Sequence, residues 1–467
     1  MIQYKAKQNL LARMAAIRFQ IYILAFCAGL VIQSSCCNGH SGLQKKRAAL
    51  FVFGDSLYDA GNNNYINTST DFQASWFPYG ETFFRYPTGR FSDGRTIPDF
   101  IAEYAKLPFI PVYLQPGLND YTYGVNFASG GAGALVETYQ GFVMDLKTQV
   151  SQFKKVEKQL RQKLGDAEAY TLVSEAVYII NIGNNDYVSP LATNTSHEEY
   201  VGWVIGNLTS WIEDIYQKGG RKFALSSLAP FASMPLMRTT QPAGSTTGPS
   251  RKEVAALVKL HNGVLAKVLL KLKKELQGFK YSKLNLYTYL KERINHPLKY
   301  GFKEGKMACC GSGAYRGIYS CGGKRSVTEY LLCDNATEFV FFDCAHPTER
   351  VNKQLSKLWW SNNLKELFED IYWEGGRKFA LSSLAALASV PSIRAIQTGY
   401  TGPSKKEVAA LVKLHNRVLA KVLLKLKKEL PGLKYSNLNF YTYLKERINH
   451  SSKYVSVIWF FHTLISH

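Results

Sequence analysis

The 467-residue chain is short of acid, with 35 Asp and Glu against 57 Lys and Arg, a formal net charge of +22. It has no C-x-x-C pair, which removes the usual thiolate clip for structural zinc and the dithiol redox motif. The G-x-S-x-G turn, by which one large class of α/β enzymes exposes a serine, is missing too. No apolar run reaches membrane-spanning length. The longest near the N-terminus, Phe19–Gln33, is broken by Gln20 and followed by small and polar residues at Ser34–Gly39. Charge alone would suggest nucleic acid. Its distribution argues against that: the lysines sit mostly on amphipathic helical stretches such as Lys267–Lys274, where they form a solvated face, and the rest of the excess lies near the two ends. No nucleic-acid partner is expected. An acidic cell-wall or lipid surface suits the balance better.

The N-terminus has the layout of a secretory signal over residues 1–37. Lys5, Lys7, Arg13 and Arg18 form a basic region, an apolar stretch follows, and a mature start is expected between Cys36 and Ser41. The cysteines agree with export. Cys309, Cys310, Cys321 and Cys333 lie in a Gly-rich stretch that cannot bury a core of its own, where disulfides contribute most. Neighbouring cysteines do not easily bridge each other, so Cys309 and Cys310 are each expected to reach Cys321 or Cys333. That leaves Cys344 over, with the risk of mispairing beside a functional motif. Sequons stand at Asn67, Asn194, Asn207, Asn335 and Asn449; Asn194 and Asn207 are the expected glycan carriers.

Short apolar runs at Ala48–Phe53, Val125–Ala128, Val177–Ile182, Phe223–Ser227 and Phe339–Phe342 read as buried strands, the first three ending in glycine motifs. Between them lie helical patterns. In 254–276 the stripe is Val254, Leu257, Val258, Val264, Leu265, Val268, Leu272 and Leu276. Strands alternating with helices predict a parallel sheet covered on both faces, with ligands at the carboxyl ends of the strands. The chain also repeats itself. G-G-R-K-F-A-L-S-S-L-A at 219–229 returns at 375–385, and 248–296 returns nearly verbatim at 402–450. The expected division is a catalytic domain over 46–364 and a partial, non-catalytic duplicate of 209–300 over 365–467.

Three motifs carry the chemistry: G-D-S-L at Gly54–Leu57, G-N-N-D at Gly183–Asp186 and D-C-A-H at Asp343–His346. A serine hydroxyl needs a base to become a nucleophile, an imidazole has the right basicity, and a carboxylate orients the imidazole. Ser56, His346 and Asp343 fill those roles in sequence. His261 falls on the apolar helix stripe and recurs as His415, while His296 recurs as His450; both read as structural.

With G-D-S-L-Y-D-A-G-N-N-N, T-G-R-F-S-D-G-R, N-F-A-S-G-G-A-G and D-C-A-H-P-T-E-R, the chain resembles the plant GDSL esterase/lipases, a branch of the SGNH hydrolases, from about Ala48 to about Trp360. The resemblance implies a three-layer α/β/α fold with a central parallel sheet and an acyl-enzyme on Ser56. It also implies an oxyanion hole made by the Ser56 amide, a glycine amide and the Asn185 side chain. By motif the glycine is Gly130, with Gly131 the one-residue alternative. The implied protein is a secreted serine esterase or lipase of the apoplast or cell wall, acting on lipid or other acyl esters without metal or organic cofactor. An acyltransferase on the same scaffold and a catalytically silent wall-binding or defence protein are the other readings. The substrate pocket is expected in loops such as Phe77–Arg95 and Leu114–Tyr123.

Overall fold

The computed structural model describes residues 48–188, 195–239 and 249–368, together with 378–382, 405–429 and 434–438. The expected leader and the sequons at Asn194 and Asn449 lie outside the described residues. In chain order the first unit contains β1 Leu50–Gly54, α1 Ile97–Tyr104, α2 Leu146–Leu164, α3 Asp166–Glu175, β2 Val177–Asn181 and α4 Asn184–Val188. There follow α5 His197–Gln217, β3 Lys222–Ser226, α6 Pro235–Thr239, α7 Arg251–Glu275, β4 Lys280–Leu284 and α8 Leu286–Asn295. The unit ends with β5 Glu304–Ala308, β6 Cys310–Gly311, β7 Leu331–Leu332, β8 Phe339–Phe341, α9 Glu349–Trp359 and α10 Lys365–Phe368.

β1, β2, β3 and β4 form one sheet in that order, and every pairing is parallel. β1, β2 and β3 are buried at every residue, which is why they read as continuous apolar runs and not as alternating ones. Helices cover the sheet in the α/β/α manner: α2 packs on α3 and α5, α5 packs on α7, and α1 packs on α9. Phe51, Phe53, Phe127, Phe153, Tyr178 and Trp211 fill the core, with ring centroids 4.9–6.5 Å apart. Each such burial is worth roughly 1.5–3 kcal/mol.

Three local differences from the sequence reading have physical causes. Val125–Ala128 runs beside β1 and bonds to it, Val52 N donating to Val125 O at 3.0 Å, but only Asn126 forms a ladder bridge. β4, with the sequence K-Y-S-K-L, was not expected. As an edge strand it buries only Ser282 and Leu284, so it has no apolar run to announce it. Along α7, begun by a Ser250–Glu253 capping box, the fully buried set includes His261 and Leu269, while Val264 and Val268 are half-buried.

The cysteine loop is closed by Cys309–Cys333 and Cys310–Cys321, with Cα atoms 4.9 and 5.2 Å apart. Cys344 is free and fully buried. Among the described residues the other four cysteines are paired with one another, so the mispairing foreseen for Cys344 is not seen there. Leu364 and Leu367 belong to the main core, and Asn363 Oδ1 accepts a short hydrogen bond from Ser282. The first unit therefore runs to Phe368, past the expected boundary at 364.

The second unit contains β9 Lys378–Ser382, α11 Lys405–Glu429 and β10 Lys434–Leu438. β9 and β10 pair in parallel, Lys378 opposite Lys434 and Ser382 opposite Leu438. This is the register in which β3 meets β4, Lys222 opposite Lys280 and Ser226 opposite Leu284.

Candidate active site

β1 ends at Gly54, whose φ of +136° is a conformation that only glycine adopts at low cost; a Cβ there would stand 2.3 Å from Asn181 O. Gln149 of α2 braces this residue from both sides, its Oε1 accepting from Gly54 N and its Nε2 donating to Gly54 O, each at 2.9 Å. The chain then turns, Tyr58 N and Asp59 N donating to Asp55 O, and Ser56 emerges half-buried at the strand's carboxyl end. From the far side of the first unit, β8 leads into the Asp343–His346 turn. Asp343 Oδ1 accepts from the amides of Ala345 (2.9 Å) and His346 (2.8 Å), which fixes the turn before α9 begins.

These two turns meet. His346 Nε2 lies 2.8 Å from Ser56 Oγ, and His346 Nδ1 lies 2.7 and 2.9 Å from the two oxygens of Asp343. Burial works against charge on Asp343, but the adjacent His346, the backbone amides and Tyr79 outweigh it and hold the carboxyl below its usual range. An ionised Asp343 accepts Nδ1–H, which leaves Nε2 as the acceptor for the Ser56 hydroxyl.

Sequence reasoning missed the residues that support this relay. Tyr79, fully buried, donates from its hydroxyl to Asp343 Oδ2 at 2.7 Å. Phe91 packs on the His346 ring with centroids 4.8 Å apart. The loop carrying Phe91 is tied to α9, since Asp93 Oδ1 accepts from Glu349 N (2.7 Å) and Arg95 pairs with Glu349 (2.7 Å). Arg90 grips Asp99 with two bonds of 2.8 and 2.7 Å. Phe91, Arg90, Asp93 and Arg95 all belong to T-G-R-F-S-D-G-R, so the motif was visible although its work was not.

Around Ser56 the polar groups are arranged as follows. Asn185 lines the cavity at the serine, and one N–H of its amide donates to Ala132 O at 2.9 Å, leaving the second. The assignment of Gly130 to the oxyanion hole is corrected, because the Gly130 amide is already committed to Asp59 Oδ2 at 2.9 Å. Gly131 lines the cavity instead, and among the described residues neither its amide nor that of Ser56 has a protein acceptor. Asp186, next to Asn185, is buried and accepts from the amides of Ala134 and Leu135 (both 2.9 Å) and from Thr138 Oγ1 (2.7 Å), tying the two motifs together. His261 is remote from this chemistry; its Nδ1 lies 2.9 Å from the Tyr187 hydroxyl, and burial lowers its pKa to about 3.

The cavity has a volume of about 260 Å³, and its walls are mainly apolar: Leu57, Phe72, Val188, Phe231, Met234 and Leu236. The loops expected to form it contribute little. Phe77–Arg95 supplies Phe91 alone and Leu114–Tyr123 supplies nothing; the walls come from the turn at Phe72, the end of α4 and the stretch Phe231–Leu236.

Residues 50–359 match the family described as "GDSL-like Lipase/Acylhydrolase". The chain belongs to that family. It is 49% identical to GDSL esterase/lipase 1 of Arabidopsis thaliana over 366 residues, covering 75% of this chain and 97% of that protein. It is 50% identical over 333 residues to a GDSL lipase of Tanacetum cinerariifolium, covering 70% of this chain and 89% of that protein. GDSL esterase/lipase 2 of Arabidopsis thaliana is 48% identical over 368 residues, again covering 75% of this chain and 97% of the relative. The parallel sheet with flanking helices is the fold expected for such a member.

Proposed function

We propose that this GDSL-family protein is a secreted serine carboxylester hydrolase acting on lipid or other acyl esters through an acyl-enzyme on Ser56. The observation that carries the reading is the 2.8 Å approach of His346 Nε2 to Ser56 Oγ, with His346 Nδ1 held by Asp343. As Ser56 Oγ forms its bond to the ester carbonyl carbon, its proton passes to Nε2. The carbonyl oxygen becomes an oxyanion, and the amides of Ser56 and Gly131 with the second N–H of Asn185 are the donors placed to receive it. The imidazolium returns the proton to the leaving alcohol. Water, activated by the same Nε2, then releases the acid. The apolar walls favour a hydrocarbon acyl group over a sugar or a charged one.

Export is supported by the basic and apolar leader, by the two disulfides and by exposed sequons at Asn67, Asn207 and Asn335. The net charge of +22 suits an acidic wall polymer or an anionic lipid face as the surface it works on. The test is hydrolysis of p-nitrophenyl esters of graded acyl length by the purified protein beside its Ser56→Ala variant. Turnover that depends on Ser56 and on chain length is expected. Turnover equal in the two proteins would overturn the reading.

A further inference from the structure

Ser129, Gly130, Gly131 and Ala132 form a tight turn in which Ala132 N donates to Ser129 O at 3.0 Å. Gly131, at its third position, has φ of +84°, the mark of a type II turn. Types I and II differ mainly by a flip of the central peptide, here the bond between Gly130 and Gly131, and two glycines offer little steric resistance to that flip. The flip matters because the peptide is planar and trans, so the Gly131 N–H points opposite to the Gly130 carbonyl. Whatever fixes that carbonyl aims the N–H.

Asn63 fixes it. Its Nδ2 donates to Gly130 O at 2.9 Å and to Phe72 O at 2.7 Å, and its Oδ1 accepts from Ser129 Oγ at 2.5 Å. The side chain is 2% exposed and each of its polar atoms is used, so the amide has one orientation. On the other side of Gly130, Asp59 Oδ2 holds the amide at 2.9 Å. We propose that Asn63 is a positioning residue for the oxyanion hole: it locks the Gly130–Gly131 peptide with its carbonyl away from the cavity and the Gly131 N–H towards the reacting carbonyl. This rests on the esterase reading and assigns work to an asparagine that touches no substrate.

An oxyanion donor acts mainly in the transition state, so its loss lowers kcat and spares KM. Removing one donor outright costs about 10²–10³-fold. Releasing its lock should cost somewhat less, about 10–100-fold. Asn63→Asp is isosteric, yet it sets a carboxylate against two carbonyls; Asn63→Ala removes the lock together with the bonds to Phe72 O and Ser129 Oγ. Both are assayed with p-nitrophenyl butyrate, with a p-nitrophenyl alkylphosphonate whose phosphorus is attacked by Ser56 Oγ, expelling p-nitrophenolate and likewise building negative charge on the phosphoryl oxygen, and by thermal melting. A fall in kcat of that size, KM within about twofold and an equal slowing of phosphonylation are expected. Should neither variant fold, Ser129→Ala keeps both donors of Asn63 while freeing its oxygen and the Met144 amide that donates to Ser129 Oγ at 3.1 Å, and a several-fold loss of kcat alone is expected. The inference is overturned by folded variants with kcat within threefold of the parent, or by phosphonylation at the parental rate. A parent protein without Ser56-dependent turnover would instead bring down the esterase reading, and this inference with it.

Discussion

The stretch from β3 through α7 to β4 and its repeat from β9 through α11 to β10 are nearly the same sequence in two surroundings. The strands pair in the same register, and both helices are 25 residues long. Burial is where they part. His261 is fully buried and His415 is exposed; Leu260, Val264 and Val268 are packed against the core, while Leu414, Val418 and Val422 are 46–55% exposed. Local sequence thus decides helix, strand and register, whereas the first copy's neighbours, β2 and α5, decide what those elements are worth. The first copy lies in the domain that carries Ser56, Asn185, Asp343 and His346; the second contains none of the catalytic motifs.

The largest effect should therefore come from the first unit alone. Ser56→Ala is expected to lower ester hydrolysis by about 10⁴-fold or more, and His346→Ala by nearly as much, with the second copy intact in both. Tyr79→Phe keeps the ring and removes only the bond to Asp343, so a loss of roughly tenfold or less is expected. If the second copy supplied any catalysis, the Ser56 variant would keep more than a tenth of the parental rate in the p-nitrophenyl assay.

A matched pair of substitutions sharpens the contrast in packing. Leu265 is 2% exposed and its counterpart Leu419 is only half-buried. Leu265→Ala should cost about 2–5 kcal/mol of the first unit's stability by urea unfolding. Leu419→Ala should leave that transition within about 0.5 kcal/mol. Equal losses would mean that the two helices share one core.

The same division explains what was legible beforehand. Strands buried on both faces, β1, β2 and β3, were visible as apolar runs, and α7 through its 3.6-residue stripe. β4 escaped because an edge strand needs only one apolar face. Ser56, His346 and Asp343 were visible because nucleophilic chemistry demands those residue types in a recognisable order. Tyr79, Asp59 and Asn63 were not, since each acts by holding another group, and the letters Tyr, Asp and Asn serve equally well as core, cap or turn. The choice between Gly130 and Gly131 turned on a single hydrogen bond to Asp59, which no spacing reveals.

Burial around the first unit's site also sets a pH dependence. Burial, with Asp186 and Asp59 nearby, raises Asp55 to about 7, and burial raises Asp59 and Asp186 to about 6. Unfolded, each ionises near its ordinary value of about 3.9, so between pH 4 and 7 the folded state holds more protons and stability falls as pH rises. His261, lowered to about 3 by burial, works in the opposite sense, because its contribution grows as pH rises towards 6.5. Three carboxyls outweigh one imidazole. The first unit should melt about 5 °C higher at pH 5 than at pH 7.5, and Asp55→Asn should shrink the gap. A higher melting temperature at pH 7.5 would show that the hydrogen bonds to these carboxylates prevail over burial.

The smallest expected effect belongs to removal of the second copy. Every group of the proposed active site lies at or before His346, and the core of the first unit closes with Leu367. A chain ending after Phe368 should keep kcat/KM within about twofold of the full-length protein and melt at the same temperature or slightly higher. It keeps every residue of the first unit's core, and it sheds Leu414, Val418, Val422 and Leu424, exposed apolar side chains that favour association. The end point is decisive. A chain ending after Ser361 gives up two buried leucines, at roughly 1.5–3 kcal/mol each, and the bond from Ser282 to Asn363. It should melt several degrees lower. If the two truncations behaved alike, α10 would be no part of the first core; if ending after Phe368 abolished activity, the repeat would be a working part of the enzyme and the contrast between the copies would fail.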